Sequence, residues 1–116
     1  MTQPSFLPPT ARIRVYLAGP MSGIQDFNYP AFLAKAAELR GYGYDVSSPA
    51  ELSGGITDLP WEYYMRVGIQ ALLECDQVYC LPGSRESRGA SLEIAIATAL
   101  KLPILFQETP DRTTTQ

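Results

Sequence analysis

Four short apolar runs alternate along this chain with three segments of helical period, and that alternation restricts it to one architecture. Ile13, Val15 and Leu17, with Tyr16 and Ala18 between them, form a β-branched run that stops at Gly19-Pro20, the pattern of a buried strand. Residues 42–47, ending before Ser48-Pro49, and residues 77–81 and 103–106 read as the other three strands. Residues 29–40 place Phe32, Leu33, Ala36, Ala37 and Leu39 on one helical face, with Pro30 in the first turn and Gly41 as the stop. Residues 60–74, with Asp58 as a cap, repeat Trp61, Tyr64, Met65, Gly68, Ile69, Leu72 and Leu73 at helical spacing; residues 89–100 form the third helix. A βαβαβαβ order predicts an α/β fold: a small open parallel sheet of about four strands with helices on both faces, flavodoxin- or Rossmann-like. The right-handed crossover rule then gives a strand order of 2-1-3-4 or a close variant, all parallel.

The length of 116 residues suits one domain, read here as residues 12–107, with 1–11 and 108–116 as flexible tails. Residues 48–60 make a connection long enough to be a lid or ligand wall. Nine Lys and Arg against twelve Asp and Glu leave a net charge of -3, so no basic surface invites a nucleic acid duplex. The absence of histidine removes every Ser-His-Asp or Cys-His nucleophile and every His-ligated metal. Two cysteines, Cys75 and Cys80, cannot complete a four-thiolate site, and they read as reduced and structural. No metal and no cofactor are therefore expected. No apolar run approaches a membrane span, and the N-terminal residues lack the regions of a signal peptide, so a cytoplasmic protein without membrane contact is expected.

In open parallel sheets ligands bind beyond the carboxyl ends of the strands. Two loops leave such ends: one after the first strand, containing Gly19, Ser22 and Gly23, and one after the third, containing Gly83, Ser84, Ser87, Arg88 and Gly89. The second runs into a helix whose unpaired N–H groups suit an anion, and Ser84, Ser87, Arg85 and Arg88 add donors, which makes phosphate the natural guess. A solvated connection fits the same pattern. Glu93 lies in an otherwise apolar helix, where a carboxylate is either partly buried at a site or held by the helix N-terminus. Asp76, at a helix-to-strand junction, reads as a turn or cap residue.

Val15-Tyr16-Leu17-Ala18-Gly19-Pro20, Cys75-Asp76-Gln77-Val78 and Ser87-Arg88-Gly89-Ala90-Ser91-Leu92-Glu93 together resemble the nucleoside 2-deoxyribosyltransferase-like superfamily. Asn28 to Phe32, Pro49-Ala50-Glu51-Leu52 and Trp61-Glu62-Tyr63-Tyr64-Met65 fit its small phage and bacterial branch, related to deoxynucleoside 5′-monophosphate N-glycosidases. The resemblance implies cleavage or exchange of an N-glycosidic bond in a deoxynucleoside or its 5′-monophosphate. Glu93 would be the nucleophile at the anomeric carbon, kept ionised by the helix N-terminus, with Tyr16 orienting it and Ser87 meeting a phosphate. It also implies a homodimer, for which the stripe from Trp61 to Leu73 offers a surface.

Two positions depart from the superfamily pattern. Active members usually carry an acid about eight residues before the Asp that enters the third strand; here that residue is Gly68, so Asp58, Glu62 or Glu86 would have to replace it. A phosphate-binding serine after the first strand is replaced by Pro20, with Ser22 nearby. The alternative to an enzyme is a nucleotide-binding or sensor module that has kept the pocket and lost the chemistry.

Overall fold

A computed structural model describes residues 12–107; both expected tails lie outside the described residues. Four parallel strands, β1 (Arg14–Ala18), β2 (Asp45–Ser47), β3 (Gln77–Cys80) and β4 (Ile104–Phe106), form one sheet in the order β2-β1-β3-β4. This is the order that right-handed crossovers require. The helices are α1 (Tyr29–Gly41), α2 (Pro49–Leu52), α3 (Trp61–Leu73) and α4 (Arg88–Ala99).

Alternation along β1 divides the core into two layers. Val15 and Leu17 face α1 and α2, packing with Phe32, Ala36, Leu39 and Ala50. Tyr16 and Ala18 face the other side, packing with Leu72 of α3, Val78 and Cys80 of β3, and Ala90 and Ala97 of α4. Tyr16 pairs in register with Ser47 on one side and Val78 on the other, so its ring is carried by a central strand of the sheet. At the start of β1, the Arg14 N–H donates to Asp76 Oδ2 at 2.8 Å, which gives Asp76 the capping role expected of it.

Several boundaries differ from the sequence reading. Ile13 precedes β1 and is exposed, and Tyr42 is in the turn after α1, which leaves β2 only three residues. Gly43 turns the chain there with φ 102, a conformation a β-carbon disfavours. On α1 only Tyr29, Phe32, Ala36 and Leu39 are buried, a narrower stripe than the sequence suggested; Leu33 and Ala37 face solvent. The 48–60 connection is not a free lid. It contains α2, and the Tyr29 and Tyr64 hydroxyls both donate to the Ile56 carbonyl, at 2.8 and 3.0 Å, while Tyr64 Oη accepts from the Leu59 N–H at 3.0 Å.

Candidate active site

Chain order reverses across β1 and β3: β2 is added on one side of β1, and β3 and β4 on the other. The loops leaving the carboxyl ends of β1 and β3 consequently diverge, and a cleft of about 660 Å³ opens between them. That volume is in the range of small-molecule sites.

Tyr16 and Glu93 form its floor. The Tyr16 hydroxyl donates to Glu93 Oε2 at 2.6 Å, with Tyr16 fully buried and Glu93 only 6% exposed. Glu93 is the sixth residue of α4, one turn past the free N–H groups of the helix start, so the helix dipole does not govern its charge. Burial does. Desolvation pushes the carboxyl up to about 7 despite the opposing hydrogen bond from Tyr16, which corrects the expectation of a simple helix-stabilised carboxylate. Burial and the adjacent Glu93 raise Tyr16 well above the usual tyrosine range, so its hydroxyl remains a donor.

Gly68 of α3 touches this pair. A β-carbon there would lie 2.5 Å from Tyr16 Oη and 2.8 Å from Glu93 Oε2, closer than packed atoms tolerate. The position that departs from the superfamily pattern is thus helix backbone packed against the pair. Of the three carboxylates that could substitute, Glu86 lines the cleft, while Asp58 and Glu62 do not.

The walls come from loops and helix ends. Gly19 and Ser22 line the cleft beside Pro20 and Met21, whereas Gly23 lies outside it, in a turn with φ 81. Across from them stand Gly83, Ser87, Arg88 and Gly89. Ser87 caps α4, its Oγ accepting from the Ala90 N–H at 3.2 Å, which leaves its own proton free to donate. Gly89 lets α4 approach α3: a β-carbon would meet Met65 Sδ at 2.9 Å. Ser84 is placed elsewhere, buried and donating to the Leu81 carbonyl at 2.6 Å. Arg85 sits 4.1 Å over the Phe106 ring and does not line the cleft.

An apolar wall of Phe27, Trp61, Tyr64 and Met65 completes the site. Trp61 and Met65 were legible in the sequence only as core or interface, since helical spacing does not reveal that the start of α3 rises above the sheet. Phe27 is carried by three consecutive residues in the left-handed region, Asp26, Phe27 and Asn28, with φ of 54, 58 and 61. Asn28 holds that turn by donating from Nδ2 to the Pro20 carbonyl at 2.9 Å, and the Phe27 ring packs 5.2 Å from Tyr64. Arg88 stacks 3.7 Å over Trp61 at the rim. Both cysteine thiols are buried and raised by desolvation, Cys80 to about 11, which suits packing and not nucleophilic work. Among the described residues no cluster of three or more Cys, Asp or Glu could hold a metal, and no helix is long and apolar enough to cross a membrane.

The model of a domain of unknown function, DUF4406, matches residues 13–106, which span every strand and both walls of the cleft. The chain belongs to the DUF4406 family. No curated protein matches this DUF4406 chain in sequence. Among solved structures it is similar to a 2-deoxyribosyltransferase from the psychrotolerant bacterium Bacillus psychrosaccharolyticus, with a TM-score of 0.60 and 17% identity over 80% of this chain and 70% of that one. The two share a fold, an open parallel α/β sheet.

Proposed function

We propose that this DUF4406 protein cleaves or exchanges the N-glycosidic bond of a deoxynucleoside or deoxynucleoside 5′-monophosphate, with Glu93 as nucleophile. The observation that carries the reading is the buried Tyr16–Glu93 pair at the floor of a nucleoside-sized cleft. A carboxyl near 7 is ionised in a useful fraction at neutral pH, and its desolvation favours bonding to, or stabilising, an oxocarbenium-like centre. In the first step a Glu93 oxygen bonds to the anomeric carbon as the bond to the base nitrogen breaks, with the electron pair leaving on the base, which takes up a proton from water in the open cleft. Water or a second base then bonds to the anomeric carbon, gives up its proton to solvent and displaces Glu93 as the free carboxylate. Tyr16 holds the attacking carboxylate in one rotamer, and the wall of Phe27, Trp61 and Tyr64 offers aromatic surface to a planar base. The shared fold with a 2-deoxyribosyltransferase supports the same chemistry.

Gly68 favours a second reading, a nucleotide-binding module without turnover, because a glycine at the position that carries an acid in the superfamily pattern has no group to protonate a departing base. Titration of the purified protein with deoxynucleosides and their monophosphates, with free base followed in parallel, separates the two. Saturable release that disappears in Glu93→Gln while binding persists supports the enzyme. Binding without release supports the module, and no saturable binding overturns both.

A further inference from the structure

Resting on the reading of the cleft as a deoxynucleoside site with Glu93 as nucleophile, we infer that the substrates it turns over are deoxynucleosides whose base already carries a positive charge, such as a ring-alkylated purine. A neutral base leaves with an electron pair and must collect a proton, whereas a cationic one leaves neutral and needs none. The cleft suits the second case, because among the described residues no acid stands beside Glu93 to supply that proton. Position 68 has no room for one: even a β-carbon there would lie 2.5 Å from Tyr16 Oη and 2.8 Å from Glu93 Oε2. Five of the described lining residues carry ionisable side chains: Tyr16, Tyr64, Glu86, Arg88 and Glu93. Tyr16 commits its proton to Glu93, and burial raises it well above the usual tyrosine range. Tyr64 donates to the Ile56 carbonyl at 3.0 Å while accepting from the Leu59 N–H at 3.0 Å. Arg88 keeps its proton in proteins, and Glu93 must itself be ionised to attack. Glu86 is exposed on the turn before Ser87, and Ser87 is already six residues, about 9 Å, along α4 from Glu93. The Cys80 thiol, which burial pushes up to about 11, does not line the cleft.

What the lining offers instead complements a flat cation. Two carboxylates, Glu86 and Glu93, stand against one guanidinium, and Phe27, Trp61 and Tyr64 supply aromatic rings. Arg88, stacked 3.7 Å over Trp61, shows this wall already holding a planar cation, and it does so at the exposed rim, where water screens its own charge. In the reaction an oxygen of Glu93 bonds to the anomeric carbon, the carbon–nitrogen bond breaks, and its electron pair neutralises the charge on the base. Anion and cation thus become a glycosyl ester and a neutral base. Water then bonds to the anomeric carbon, gives its proton to solvent and frees the carboxylate. The glycine at position 68 on this account narrows the range of substrates and leaves the chemistry in place.

The test follows base release from 7-methyl-2′-deoxyguanosine and from 2′-deoxyguanosine, with binding of both measured by calorimetry. Methylation also speeds the reaction in water, so each rate is read as its acceleration over spontaneous hydrolysis. The methylated nucleoside is expected to be released saturably, with an acceleration at least about a hundredfold above that of its parent, the lower end of what a general acid contributes. Glu93→Gln, which keeps an oxygen to accept from Tyr16, should still bind it and lose the release. A smaller advantage, or none, overturns the inference and leaves the glycosidic reading standing; loss of the parent's acceleration in Glu86→Gln would then name the proton donor. Binding of both nucleosides with release of neither overturns the inference together with the chemistry, and binding of neither overturns the deoxynucleoside reading as well.

Discussion

Replacing Glu93 by Gln isolates the cost of keeping an ionisable group in the floor of the cleft. Burial lifts the Glu93 carboxyl from an ordinary glutamate's 4.5 to about 7. Between those values the folded protein holds a proton that the unfolded chain has released. Stability therefore falls as pH rises through the window, and the loss is complete above about 7. At 1.36 kcal/mol for each pH unit, the interval from 4.5 to about 7 amounts to about 3 kcal/mol. The substituted amide carries no proton to lose, and its oxygen still accepts from Tyr16, so the variant lacks this slope. Other carboxylates, such as Glu51, lowered by its hydrogen bonds from Arg40, tilt both profiles equally and cancel in the difference. Urea denaturation of both proteins from about pH 5 to about pH 8 reads that difference directly. The variant should gain on the wild type by about 2.5 kcal/mol between those two pH values, while losing any base release. Parallel stability profiles would show that Glu93 titrates like an exposed carboxylate and would refute the reasoning.

The same geometry sets four further outcomes. Gly68→Ala puts a methyl group 2.5 Å from Tyr16 Oη, so it should destabilise by about 1–3 kcal/mol in thermal denaturation and abolish base release; a gain of about 1 kcal/mol, as for an exposed helical glycine, would mean that the pair does not occupy this place. Tyr16→Phe removes the hydrogen bond that lowers Glu93, so the acidic limb of the rate profile should move to higher pH as the rate falls, which a purely structural role would not produce. Ser87→Ala deletes the acceptor for the Ala90 N–H and should cost about 1 kcal/mol in stability, while weakening a 5′-monophosphate more than an unphosphorylated nucleoside in a titration. For the expected homodimer, α3 has only part of its stripe to offer, since Tyr64, Met65, Gly68 and Leu72 are buried within the chain while Tyr63 and Leu73 face outward; a monomer mass in light scattering at high concentration rules the dimer out.

The sheet was legible because each strand is a short run bounded by turn residues and each helix shows its period, and the crossover rule then leaves few strand orders. Glu93 was legible as a residue type out of place, a carboxylate inside an apolar helix, whereas Tyr16 stood out only through the superfamily resemblance. Their contact was not, because it joins residues 77 positions apart through the packing of α4 on β1. Ser84 shows the opposite limit. Its residue type and loop suggested a ligand donor, but the tight turn after β3 folds back on itself, and both the N–H and the hydroxyl of Ser84 reach the Leu81 carbonyl instead of the cleft. Gly68 was read as an absence, and only coordinates show that a side chain there would occupy the space of the Tyr16 hydroxyl.

One helix sets both halves of the site, and this constrains how they can change. Ser87 and Glu93 are six residues apart, which at 1.5 Å per residue separates the cap from the buried carboxyl by about 9 Å along α4. Glu86 lies just beyond the cap, on a one-turn 3-10 segment that starts after Gly83, whose φ of 87 turns the chain out of the β3 edge. The Ser87 cap and the Glu93 carboxyl are thus carried by a single rigid element, so neither group can drift relative to the other without moving the helix. Such a shift is opposed on both flanks, by Gly89 against Met65 and by Glu93 against Tyr16 and Gly68. The turn before the cap is outside these contacts at Glu86, so that part of the rim can change by side-chain replacement while Glu93 stays where Tyr16 and α3 hold it.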